Sequence, residues 1–155
     1  MAAAAYLASC APEIEVPAAD KGTLDLTNYV AIGNSITAGY ADNALYHEAQ
    51  LVAYPNLIAE QFRLAGGGEF TQPMVSPYSV GMGNAQNSRL VLAPAANCMG
   101  AISLLPTNID PTPDMTVFTR SVASEGPFNN MAVPGLKATT VVYPGYGNPA
   151  NGMGN

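Results

Sequence analysis

The sequence predicts an α/β fold built around parallel strands, on three observations. Residues 29–32, Tyr-Val-Ala-Ile, form a short apolar run with the length and β-branched content of a buried parallel strand, and the run stops at Gly33. A helix-length segment follows at 55–65. A second strand-like run, 128–133, then closes on Pro134-Gly135. Strand, helix, strand in that order is a crossover unit, right-handed by the usual rule.

Past Gly33 stands Ser35, at the carboxyl end of the first strand, where open α/β sheets gather their ligands; this makes it a candidate nucleophile. Gly33 lets the backbone turn without a Cβ clash, and the residues after Ser35 suit a helix start whose first amides face any anion formed there. Residues 41–53 read as a loop bordering that turn. The helix at 55–65 carries Pro55 in its first turn, places Leu57, Ile58, Gln61/Phe62 and Ala65 on its buried face, and ends at Gly66-Gly67-Gly68.

From about 69 to 126 the pattern changes to an insertion of hairpins and loops. Turn signals fall at 81–84, Pro94, 106–108 and 111–114, with strands expected at 90–92 and 115–119 and a further apolar run at 102–105. Asn108, Asp110 and Asp114 lack the spacing of a calcium loop and read as turn residues beside prolines. Residues 136–143 begin another helix, and 143–155 offer nothing to bury. Two parallel strands with an open edge are too little sheet for a complete domain, so the chain reads as the N-terminal part of a larger one.

Composition narrows the function classes. The chain has 155 residues, 48% of them hydrophobic but only 10% charged, with 15 Gly and 13 Pro. It is too apolar for wholesale disorder and too rich in turn formers for dense secondary structure. Five Lys+Arg against eleven Asp+Glu, net −6, provide no basic stripe for nucleic acid. Two cysteines and one histidine give no zinc spacing, and no cofactor motif is present: Ala38-Gly39-Tyr40 lacks the Gly-Lys-Ser/Thr of a P-loop.

Residues 1–22 read as a lipoprotein-type N-terminus and linker, and 23–155 as the domain. Leu7-Ala8-Ser9-Cys10 has the form of a bacterial lipobox, in which the cysteine becomes the lipidated N-terminus, although the residues before it are too few and too uncharged for a whole signal peptide. Residues 11–22 are rich in Ala, Pro and charge, as a tether would be. A tail whose Cys10 does nothing is the plainer alternative. Cys98 could pair with Cys10 in an exported protein, or remain as a small hydrophobe if Cys10 is lipidated. The location expected is therefore periplasmic or cell-surface, with a possible membrane anchor through Cys10.

Two stretches carry a family resemblance. Gly33-Asn34-Ser35-Ile36-Thr37 resembles the first sequence block of the SGNH hydrolases, the GDSL-type esterases and lipases. Asn130-Met131-Ala132-Val133-Pro134-Gly135, with Thr139 beyond, resembles their second. The resemblance runs from about 27 to about 142. It implies an incomplete flavodoxin-like, SGNH-type three-layer sandwich and carboxylic-ester hydrolysis without a metal or cofactor. Ser35 would be the nucleophile and one oxyanion N–H, Gly135 the other, with Gly33, Asn34 and Thr37 holding the turn. Asn34 stands where that family usually has Asp. The family's third-block Asn and its Asp-x-x-His block do not occur before Asn155. His47 lies twelve residues after Ser35 and could serve as base only through an unusual geometry; a solvent-exposed loop histidine is its ordinary reading. The resemblance thus implies a serine esterase or lipase in the full-length parent, acting on a small-molecule, lipid or acylated-sugar ester, with this chain nearly inactive by itself. The alternative is a non-catalytic surface lipoprotein that binds a glycan or protein.

Overall fold

The computed structural model describes residues 14–83, 87–118 and 125–144. Helices and strands are mixed, so the chain has α/β character, but its two assigned sheets are small and antiparallel. Its parallel element is a seam between 29–33 and 129–133. Ala31 N–H donates to Asn129 O at 2.9 Å, Met131 N–H to Ala31 O at 2.8 Å and Val133 N–H to Gly33 O at 3.0 Å, around a parallel bridge between Ala31 and Asn130. Ala31 is buried, whereas Val30 and Ile32 are exposed. Period-two alternation has therefore turned one face of this strand inward.

The chain leaves the seam into α1 (Ser35–Ala38), a single turn. Residues 41–53, expected as loop, are structured. Strands β1 (Tyr40–Ala41) and β2 (Ala44–Leu45) pair antiparallel across Asp42-Asn43, both of which have positive φ. That is the two-residue hairpin geometry matching strand twist, and Asp and Asn tolerate it better than other non-glycine residues. Then come α2 (His47–Leu51) and α3 (Tyr54–Leu64).

Helix α3 matches the expected helix to within a residue, with Pro55 in its first turn. Its buried face differs. Pro55 and Ala59 are buried and Phe62 half-buried, a stripe at i, i+4, i+7, whereas Leu57 and Ile58 are exposed. The stripe is set by its neighbours: α3 packs on α1, and Phe62 meets the Tyr29 ring edge-on at 5.2 Å. Phe70 stacks on the same ring, also at 5.2 Å, which fixes the start of the seam. A small core gathers beneath α1 from Ala38, Leu45, Val75 and Met82, with Tyr40 and Ala132 packed against it.

Within the insertion, β3 (Leu90–Ala96) and β4 (Ile102–Asn108) form a hairpin longer than expected. It runs straight through Pro94 and Pro106, which read as turn signals in the sequence. The strand expected at 115–119 is absent among the described residues: Met115–Phe118 form a 3-10 helix, because Asp114 Oδ1 accepts from both Thr116 N–H and Thr116 Oγ–H and winds the chain into a turn. Residues 136–143 form successive turns and no helix. Four consecutive β-branched residues, Thr139-Thr140-Val141-Val142, make a poor helix. Among the described residues no helix is long and apolar enough to cross a membrane. Cys10 lies outside the described residues, and Cys98 is a free, exposed thiol at the hairpin tip, not a buried hydrophobe.

Candidate functional site

Ser35 is the first residue of α1 and half-buried. Gly33 is required two residues before it, because a Cβ there would overlap Thr37 Oγ1 and lie 2.7 Å from Thr37 Cβ. Thr37 is buried and its hydroxyl is 2.9 Å from Tyr54 OH, so the turn is clamped to the N-terminal end of α3. Asn34 contributes less than the sequence suggests. It sits at the N-cap and its carbonyl accepts from Ala38 N–H at 3.0 Å, but its side chain makes no capping bond. One helical turn also carries little dipole, so anion stabilisation here must come from individual N–H groups.

The second candidate turn is brought alongside by the seam. Val133 N–H bonds Gly33 O, so Ser35 and Gly135 both stand two residues beyond the same hydrogen-bonded pair. Gly135 has φ +85, in the left-handed region that a side chain disfavours. Among the described residues, neither the Ser35 nor the Gly135 amide donates a hydrogen bond, and Ser35 Oγ has no partner. A cleft of about 260 Å³ is lined by Gly33, Asn34, Leu136, Lys137 and Val141, the neighbours of the two turns, but by neither Ser35 nor Gly135. A second cleft of about 420 Å³ opens on the far side of α1, against Ile36, Tyr40, Val52 and Tyr54.

Side-chain amides hold this arrangement. Asn130 is 3% exposed; its Nδ2 donates to Thr37 O at 2.9 Å and to Gln72 Oε1 at 3.3 Å, and its Oδ1 accepts from Ala132 N–H at 3.1 Å. It thereby satisfies a carbonyl that so short a helix leaves open. Asn129 reaches both ways: Nδ2 donates to Tyr29 O at 2.9 Å while Oδ1 accepts from Thr71 N–H at 3.0 Å and Thr71 Oγ–H at 2.9 Å. Gln50, 2% exposed, does the same for the next segment, donating to Pro73 O at 2.9 Å and accepting from Val75 N–H at 2.7 Å. Sequence reasoning missed Asn129, Gln50 and Tyr54, and assigned Asn130 no role. The available signal was two adjacent asparagines, poor strand formers, within a strand-like run.

His47 is not the exposed loop histidine expected. It opens α2, half-buried, with Nδ1 at 2.8 Å from Val75 O. A carbonyl can only accept, so Nδ1 donates and carries a proton. No hydrogen bond joins it to Ser35 among the described residues. Nearby, Tyr46 donates to Asp42 Oδ2 beneath Arg89, whose guanidinium lies 4.7 Å from the ring centroid and pairs with Glu48 at 3.0 Å. Burial first, then that bond to Asp42, push the Tyr46 phenol from 10.0 to about 12. Among the described residues no cluster of His, Cys, Asp and Glu could hold a metal ion. Asp110 and Asp114 instead cap local turns, accepting from Thr112 N–H and from Thr116. Compared with protein-family models, curated proteins and solved structures, the chain matches none of them.

Proposed function

We propose that Ser35 is the nucleophile of a carboxylic-ester hydrolase of the SGNH type, and that the Ser35 and Gly135 N–H groups receive the tetrahedral oxyanion. The observation that carries this reading is the Val133 N–H···O=C Gly33 bond, which puts the two turns at one end of one parallel seam. In the proposed step Ser35 Oγ bonds to the ester carbonyl carbon, the C=O π pair moves to oxygen, and the serine proton passes to a base. Collapse expels the alcohol and leaves an acyl-enzyme that water cleaves. Each well-aimed oxyanion donor is worth about 3 kcal/mol at the transition state.

Three features support the assignment. Both candidate N–H groups are without internal acceptors among the described residues, the clamp on Thr37 fixes the turn, and a cleft lined by Gly33, Asn34 and Leu136 adjoins both turns. No base is identified among the described residues, where His47 makes no bond to Ser35; the resemblance assigns that role to an Asp-x-x-His block. The same proposal takes the fold as a flavodoxin-like sandwich and the protein as an exported lipoprotein anchored through Cys10. In the full-length protein, Ser35→Ala is expected to lower ester hydrolysis by several powers of ten without changing the thermal midpoint. Undiminished hydrolysis by that variant would exclude the mechanism. A folded full-length protein with no hydrolysis of any ester would favour the non-catalytic reading, in which the same clefts bind a glycan or partner.

A further inference from the structure

The β3–β4 hairpin stands apart from the rest of the fold. Its strands pack chiefly on each other, and from 90 to 108 there is no Asp, Glu, Lys, Arg or His. Register places Leu92 opposite Pro106 and Pro94 opposite Leu104, with Ile102 further along the same face. That face is apolar and uncovered: Leu92 is 70%, Ile102 71% and Leu104 65% exposed, and Met99 at the tip is 89% exposed. Soluble surfaces seldom leave so continuous an apolar strip without a use for it.

The edges of the hairpin narrow what that use can be. Asn97 N–H donates to Ala101 O at the tip and Ile109 N–H to Arg89 O at the base, so the alternating pairs between them place Pro94 and Pro106 at non-hydrogen-bonded positions. Their backbone nitrogens therefore face outward, one on each edge. Each edge lacks an N–H where an added strand would need one, which opposes pairing with another chain edge to edge. Face-to-face pairing is opposed by size. Seven residues per strand and two strands span roughly 23 by 10 Å, about 230 Å², against about 800 Å² per partner in a stable protein interface. A lipid surface requires neither shape complementarity nor that minimum area, and it favours an uncharged apolar strip.

We propose that this hairpin is an interfacial arm that lies flat on a lipid surface, with Leu92, Ile102, Leu104 and Met99 in the headgroup–acyl boundary. Lying flat keeps both edges at a depth where water still reaches the free N–H and C=O groups. The arm carries no charge, so attraction comes from apolar burial and does not depend on anionic lipid or on salt. This reading stands whether or not Ser35 is a nucleophile, and it is separate from any anchor on Cys10.

The test uses the folded full-length protein as Cys10→Ser, which excludes the anchor, with Cys98 at the arm's tip as the labelling site. Cys98 is labelled with an environment-sensitive fluorophore and the folded protein is mixed with neutral phosphatidylcholine vesicles. The expected result is co-flotation with a blue shift of the label, equal at low and high salt. Leu104→Asp and Met99→Asp should each weaken partitioning at least tenfold; Met99 lies in an exposed turn, so its loss of binding is not a loss of folding. The proposal is overturned by absence of flotation, by flotation that neither variant weakens, or by concentration-dependent self-association that both variants abolish, which would make a second copy the occupant.

Discussion

The parallel seam, a single bridge with three backbone hydrogen bonds, and the β3–β4 hairpin are secured in opposite ways. The seam has few backbone hydrogen bonds but is stitched across itself and to two other segments by side-chain amides: half-buried Asn129 bonds the backbone at Tyr29 and Thr71, and buried Asn130 bonds it at Thr37. The hairpin has a full seven-residue ladder and is tied to the rest of the fold at its base, where Leu90 N–H donates to Asp42 O at 2.8 Å. A ladder alone fixes local shape but not position. Side-chain amides whose partners come from distant parts of the chain fix position, and the candidate nucleophile sits where those amides converge.

The largest effect expected from breaking this contrast is at Asn130. Asn130→Ala removes the donor to Thr37 O and the acceptor for Ala132 N–H inside the fold, and should lower stability by about 2–4 kcal/mol in urea titration. Gln50→Leu, which strands Pro73 O and Val75 N–H in the same way, should cost about 1–3 kcal/mol. Gly33→Ala should destabilise by about 1–3 kcal/mol, because Thr37 has to leave its place against Tyr54 to admit the methyl group. Hairpin substitutions form the other pole: Met99→Asp should change stability by no more than about 0.5 kcal/mol. Amide exchange sharpens the same distinction, with the Val133 N–H expected to outlast the N–H groups near the hairpin tip.

The pH dependence should be local. The Tyr46 phenol is raised in the folded state, so the stability it contributes is fully present below pH 10 and declines as pH rises from there through about 12. Phenolate absorbance should show Tyr46 titrating late, beside Tyr29, whose phenol burial also raises, and Tyr46→Phe should remove the Tyr46 step and the alkaline loss of stability that goes with it. Asp114 works in the opposite sense. Hydrogen bonds from the Ser79 hydroxyl, then from Thr116, hold its carboxyl below the ordinary range, so its contribution is present at neutral pH and lost as the solution is acidified through that lowered value.

The elements legible in the sequence were those governed by local rules. The α3 helix bracketed by Pro55 and three glycines follows from punctuation that neighbouring residues impose. So does the parallel approach of 129–133 to the run ending at Gly33, though that approach is one bridge with only Ala31 turned inward, not the buried strand pair expected. What was illegible depended on distant partners. Pro94 and Pro106 read as breaks because only register reveals that their nitrogens point away from the ladder. Asp42-Asn43 made a tight hairpin without glycine, which left 41–53 looking like loop. The buried stripe of α3 was chosen by Tyr29 and α1, which its own periodicity could not indicate. At the site, Ser35, Gly33 and Gly135 could be singled out from the chain, whereas Tyr54, Gln50, Asn129 and the role of Asn130 became visible only when segments up to a hundred residues apart met.

The most direct test of the functional claim is fluorophosphonate labelling of the folded full-length protein, followed by peptide mass mapping. Modification confined to Ser35, abolished by Ser35→Ala and slowed when Gly135→Ala strains the left-handed turn, is the outcome expected here. Ester hydrolysis by a protein whose Ser35 stays unmodified, or labelling of a different serine, would contradict it.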